Sequence, residues 1–175
     1  IDIGSKRGPQ YAGARVPTLA EVIDFARDKS RINIELKYNV PDPQLAAAVV
    51  ALLREKQFLD QVVITSLDHA SLQQVEQLQP GLETGLIVTA AVGNVLKTDT
   101  DFVSLNSARA TASLVGKARA AGKKVHVWTV NKPEVMLRMI ERDVDNIITD
   151  DPALLSQVMR DRSGLTPHEQ VGVRL

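Results

Sequence analysis

The sequence predicts an α/β fold of parallel strands and, between the two architectures that such a fold allows, a TIM-type (β/α)₈ barrel of which this chain supplies six of the eight βα units. Apolar runs with strand character begin near residues 32, 62, 84, 102, 124 and 146, and each is followed by a segment with helical signals. Such alternation implies parallel strands joined by right-handed crossovers. Neither G-x-G-x-x-G nor G-x-x-x-x-G-K-[ST] occurs, so the phosphate loops of many open nucleotide-binding sheets have no counterpart and the barrel fits better. A whole barrel takes about 250 residues, against 175 here. An open sheet of unrelated function is the alternative.

Residues 1–17 carry Gly4, Gly8, Pro9, Gly13 and Pro17 without a sustained period, and read as a loop or linker. Thr18 and Glu21 have capping-box spacing ahead of a helix over about 19–29. RINIELKY follows as a strand in which Ile32, Ile34 and Leu36 face one side and Asn33, Glu35 and Lys37 the other. Asp42 as N-cap and Pro43 at the first helical position open the helix DPQLAAAVVALLREKQ. VVITS is a short β-branched run, hence a buried strand, and Asp68 can cap SLQQVEQLQ, which Pro80 and Gly81 end. ETGLIVT and DFVSLN are strands around a short helical segment near TAAVGNVLK. A helix over 108–121 stops at Gly122, KVHVWTV is the fifth strand, and Asn131 with Glu134 makes a capping pair for PEVMLRMIER. NIITD precedes a last helix started by Asp151 and Pro152. The barrel domain thus covers 18–160, with a tail over 161–175.

The totals narrow the function. Lys and Arg number 21 against 21 Asp and Glu, with the two signs interspersed, which gives no general attraction to nucleic acid. With no cysteine there is no disulfide, thiolate metal site or cysteine nucleophile. No apolar run approaches the roughly 20 residues of a membrane span, and nothing reads as a signal peptide. Residue 1 is Ile and the chain opens on loop-like sequence, so a fragment of a longer protein is expected.

In parallel α/β folds ligands bind at the C-terminal strand ends, which here offer Glu35, Lys37, Ser66, Thr89, Asn106, Trp128, Asn131, Thr149 and Asp150. Glu35 can hold Mg²⁺ or Ca²⁺, hard cations that take oxygen ligands, while Lys37 can face the negative charge of a phosphate ester. Trp128 can wall the pocket. The plainer readings are a surface ion pair for Glu35 and Lys37 and a packing role for Trp128. His126 shares strand parity with Trp128 but has no evident partner and reads as a packed histidine, while His69 and His168 read as surface residues. Asp150 and Asp151 form an acidic pair, yet Asp151 before Pro152 is accounted for by capping. No H-E-x-x-H or G-x-S-x-G motif supports a zinc protease or serine hydrolase.

VPTLAEVIDFA, INIELK, VVITSLDHASL, VHVWTVN and VDNIITDDPALL, in that order over residues 14–158, resemble the later part of the glycerophosphodiester phosphodiesterase family. The resemblance implies a (β/α)₈ barrel that hydrolyses glycerophosphodiesters to glycerol 3-phosphate and an alcohol with a divalent cation, Ca²⁺ or Mg²⁺. It implies that Glu35 is a metal ligand, that Lys37 contacts phosphate and that Trp128 lines the site. The family's H-R-G segment, E-x-D pair and later H-D are not found, so two acid-base histidines and two metal carboxylates lack counterparts. Three expectations follow: the parent protein is a phosphodiesterase, this chain alone is inactive, and its incomplete barrel is completed by a missing N-terminal segment or by self-association. A non-catalytic phosphate-binding or interaction module built on the same barrel is the competing reading.

Overall fold

The computed structural model describes residues 2–38, 42–89 and 95–164. Six strands alternate with helices except between β3 and β4, where the described residues hold a single 3₁₀ turn, Val95–Lys97: α1 (Leu19–Ala26), β1 (Ile32–Leu36), α2 (Leu45–Glu55), β2 (Val62–Ser66), α3 (His69–Leu78), β3 (Thr84–Val88), β4 (Phe102–Asn106), α4 (Ala112–Ala120), β5 (Lys124–Trp128), α5 (Pro133–Glu141), β6 (Asn146–Ile147) and α6 (Pro152–Gly164). All strand pairs are parallel and the sheet order is the sequence order, β1 to β6. Consecutive parallel pairing of this kind is the barrel topology and not the doubly wound one, in which the strand order reverses.

Strand parity divides the molecule. Leu36, Val62, Ile64, Val88, Val103, Leu105, Val125 and Val127 face the helices and are buried in two apolar clusters between sheet and helix layer. The opposite face is concave. One cavity at its C-terminal end is lined from Asn33 and Glu35 on β1 to Trp128 on β5 and Ile148 just past β6. Strands lie about 4.8 Å apart, so five steps of a flat sheet would separate those walls by about 24 Å; the sheet is curled into a partial barrel. At the other rim, Glu83 ahead of β3 accepts from Arg31 ahead of β1 at 2.7 Å and from Lys124 of β5 at 2.8 Å, tying three non-adjacent strand starts together.

Several local expectations hold in detail. Thr18 and Glu21 form the capping box of α1, Asp68 accepts from Ala70 and Ser71 at the start of α3, and Asp151 accepts from Leu154 N at 2.9 Å. Gly122 takes the left-handed conformation, φ 71°, where the chain leaves α4. Two capping expectations fail. α2 begins at Leu45, not Pro43: the Asp42 carboxylate accepts from Gln44 N at 2.9 Å, a local turn that delays the helix. Asn131 does not cap α5, because its side chain is engaged by Thr149 and Asp150. Of the segment near TAAVGNVLK, residues 90–94 lie outside the described residues, and from Val95 it forms a single 3₁₀ turn. His168 lies outside the described residues.

Residues 2–18 form a loop closed by an antiparallel bridge between Asp2 and Arg15. The Asp2 carboxylate accepts from Gly4 N at 2.8 Å, Ser5 N at 3.0 Å and Gly13 N at 3.0 Å, and also from the Ser5 hydroxyl. These donors, the Ser5 hydroxyl first, hold its pKa far below the ordinary carboxylate range.

Candidate active site at the strand C-termini

The cavity of about 400 Å³ is lined by Asn33, Glu35, Thr65, Leu67, Ile87, Thr89, Ser104, Trp128, Thr129 and Ile148. Glu35 and Trp128, two of the three site residues expected from sequence, therefore share one space. Glu35 sits on β1, whose Ile32, Ile34 and Leu36 anchor it to the helix side and so oblige Asn33 and Glu35 to face inward. Glu35 is exposed to the cavity and makes no hydrogen bond or ion pair among the described residues. Lys37 follows β1 directly and has the parity of Glu35, but it does not line the cavity and forms no ion pair with Glu35 or with any other described residue. The surface-ion-pair reading is therefore not what the structure contains.

Trp128 is half-buried, and its indole Nε1 is buried with no acceptor among the described residues. Two residues earlier on the same face, His126 stacks on Phe102 with ring centroids 3.9 Å apart and an interplanar angle of 24°. Burial pushes the His126 pKa down to about 4; Glu83 and Asp145 pull the other way, and Lys124 and Arg31 add to the depression. It is a packed neutral imidazole, as its lack of an evident partner implied. His69 opens α3 and meets Asp99 at 2.5 Å, outside the cavity.

Other candidates divide by parity. Thr89 lines the cavity. Ser66 points to the helix side, donating to the Leu36 carbonyl at 2.8 Å and accepting from Asp68 N at 3.1 Å, so it belongs to the β2–α3 turn and not to the site. Asn106 accepts from Ala108 N at 3.0 Å. Asn131 and Asp150 join the β5–α5 and β6–α6 loops through a 2.6 Å hydrogen bond, with Thr149 donating to the Asn131 carbonyl at 3.1 Å. Asp150 thus clamps two loops, while Asp151 caps α6.

Asn33, Thr65, Leu67, Ile87, Ser104, Thr129 and Ile148 line the cavity but were not among the sequence candidates. The in-out alternation set by Glu35 marks Asn33 and Thr65, since Glu35 and Thr65 are register partners. Only the curl shows that Ile87, Ser104 and Ile148 reach the same space.

A model of the glycerophosphoryl diester phosphodiesterase family matches residues 1–154, most of the chain. The chain belongs to that family. A glycerophosphodiester phosphodiesterase of Caldanaerobacter subterraneus is 33% identical over 166 residues, which is 91% of this chain and 68% of that protein. A phosphodiesterase of Oleispira antarctica, solved in complex with sn-glycerol-3-phosphate, superposes with a TM-score of 0.79 at 24% identity, covering 91% of this chain and 67% of that one. A glycerophosphodiester phosphodiesterase of Parabacteroides distasonis superposes with a TM-score of 0.76 at 22% identity, over 84% of this chain and 65% of that one. The chain thus spans about two thirds of the length of each of these relatives. The family match begins at residue 1 and so takes in the loop that precedes α1.

Proposed function

We propose that the protein to which this chain belongs is a metal-dependent phosphoric diester hydrolase that converts glycerophosphodiesters to glycerol 3-phosphate and an alcohol. The observation that carries this reading is the shared cavity. In a chain of this family, one inward carboxylate, Glu35, stands among hydroxyl, amide and indole groups at the strand C-termini, the face on which barrel enzymes work. The Oleispira relative in complex with sn-glycerol-3-phosphate supports the substrate class.

Glu35 has no partner among the described residues and fits a single-carboxylate contribution to a hydrated divalent cation, Mg²⁺ or Ca²⁺. No group of three His, Cys, Asp or Glu converges among the described residues, so the remaining ligands are water, substrate or groups outside that set. A cation held there would neutralise charge on the phosphate. Lys37, exposed beyond β1, supplies a positive charge toward the same end, and Trp128 walls the substrate. None of the described histidines lines the cavity, so the acid and base of hydrolysis are assigned to groups beyond the described residues.

The test is hydrolysis of glycerophosphocholine with Mg²⁺ or Ca²⁺ by the full-length protein and by this chain. The full-length protein is expected to turn over and the chain to remain inactive, and Glu35→Gln in the full-length protein to reduce metal-dependent turnover by about a hundredfold or more, the scale of losing one charge-stabilising group. Unchanged rate and metal affinity in Glu35→Gln would remove Glu35 from the site. Metal and phosphate binding without turnover by the full-length protein would favour a non-catalytic phosphate-binding module.

A further inference from the structure

Asn33 is an odd residue to find where it stands. Asparagine is depleted in strands, yet this one sits in the middle of an apolar run between Ile32 and Ile34, two positions before Glu35 and on the same inward face. Its backbone is in ordinary parallel register with Val63, so the ladder makes no demand on its side chain. Its side-chain carbonyl, however, is held: Thr65, 1% exposed, donates its hydroxyl to Asn33 Oδ1 at 2.9 Å.

That bond has a directional consequence. A threonine hydroxyl has one proton, and here it is given to the oxygen end of the amide. The nitrogen end, with two N–H donors, is left on the other side and makes no hydrogen bond among the described residues. The nitrogen end is exposed, and Asn33 lines the cavity that holds Glu35 and Trp128 as well as a second one toward the opposite rim with Glu83 and His126. The open end donates, so it suits an oxygen acceptor and not a cation, which would need the carbonyl already taken by Thr65.

We propose that Asn33 is a substrate-binding residue that donates to an oxygen of the bound glycerophosphate group, and that Thr65 is a positioning residue that sets the orientation of the Asn33 amide. The inference rests on the substrate class proposed above. Charge-assisted hydrogen bonds to phosphate are among the stronger polar contacts, and a neutral donor beside Glu35 adds recognition of the anion without competing for the cation.

The chain has a single tryptophan, Trp128, and it lines this cavity, so its fluorescence reports occupancy directly. The experiment titrates sn-glycerol 3-phosphate into the chain and four variants, with urea melts confirming that each is folded. Asn33→Ala is expected to weaken binding about tenfold or more, in line with loss of a hydrogen bond to a charged group. Thr65→Val is expected to weaken it severalfold and Thr65→Ser, which keeps the hydroxyl, to restore it. In the Asn33→Ala background Thr65→Val should add nothing, because Thr65 acts only through Asn33. Absence of glycerol 3-phosphate binding by both the chain and the full-length protein overturns the substrate reading itself and this inference with it; where only the full-length protein binds, the same four variants are read there. A chain that binds but is indifferent to Asn33→Ala, or in which Thr65→Ser behaves as Thr65→Val, overturns the role of the pair and leaves the substrate reading standing.

Discussion

His126 makes acid sensitivity a property of the barrel interior. Its imidazole is 6% exposed and stacked on Phe102, and burial pushes its pKa from 6.5 down to about 4. The groups around it are mixed: Glu83 and Asp145 favour the proton, and Lys124 and Arg31 oppose it. Because the folded value lies below the unfolded one, the unfolded chain takes up the proton first. The full contribution is therefore present above pH 6.5 and is lost as pH falls toward 4, where the loss levels off. A displacement of about 2.5 pH units corresponds to about 3 kcal/mol at the acid limit, and to about 2 kcal/mol at pH 5. The assay is urea denaturation between pH 7.5 and 4.5 of the wild-type chain and of His126→Phe, which keeps an aromatic ring against Phe102. The wild type should lose about 2 kcal/mol more than the variant between pH 7.5 and 5. The carboxylates held low, such as Glu83 and Asp68, titrate below this window and are common to both proteins. Parallel pH dependences in the two proteins would show that His126 is not held neutral by its surroundings and would refute the reasoning.

Three further outcomes are expected. Gly85→Ala should destabilise the chain by about 1–3 kcal/mol in thermal or urea melts, because a methyl at Gly85 falls on the Phe102 ring, which is fully buried and cannot retreat. Asp68→Ala should lower stability by about 1 kcal/mol through loss of the α3 cap, with hydrogen exchange rising first at Ala70 and Ser71, whose N–H groups it leaves without acceptors. β1 and β6 are the outer strands of the described sheet, and the interior face between them is open. Self-association of the isolated chain, visible by light scattering at micromolar concentration, is the expected consequence, and a monomer across the accessible range would count against it.

Much of the fold was legible because it depends on nearest neighbours in sequence. Ile32, Ile34 and Leu36 alternate with Asn33 and Glu35, so β1 and its two faces could be read from five letters. Thr18 with Glu21, and Asp68 ahead of Ser71, form caps whose donors and acceptors lie within three residues. The failures are of the other kind. Asn131 has the spacing to cap α5 but faces stronger competition from Thr149 and Asp150, 18 and 19 residues away. Ser66 was included as a strand-end residue, although its parity with Ile64 already assigned it to the helix side.

By itself the sequence determined the six strands, the helices that follow five of them, the common face of Asn33 and Glu35, and the family, because strand periodicity, caps and a linked set of segments are written locally and in order. Only the tertiary structure decided which inward residues meet. Glu35 and Trp128 are 93 positions apart in the chain and share a cavity because six twisted parallel strands curl. The same curl brings Arg31, Glu83 and Lys124 together at the opposite rim, while the register of β1 on β2 sets Asn33 against Thr65. Sheet curvature and register are cooperative properties of all the strands, and no single segment encodes them.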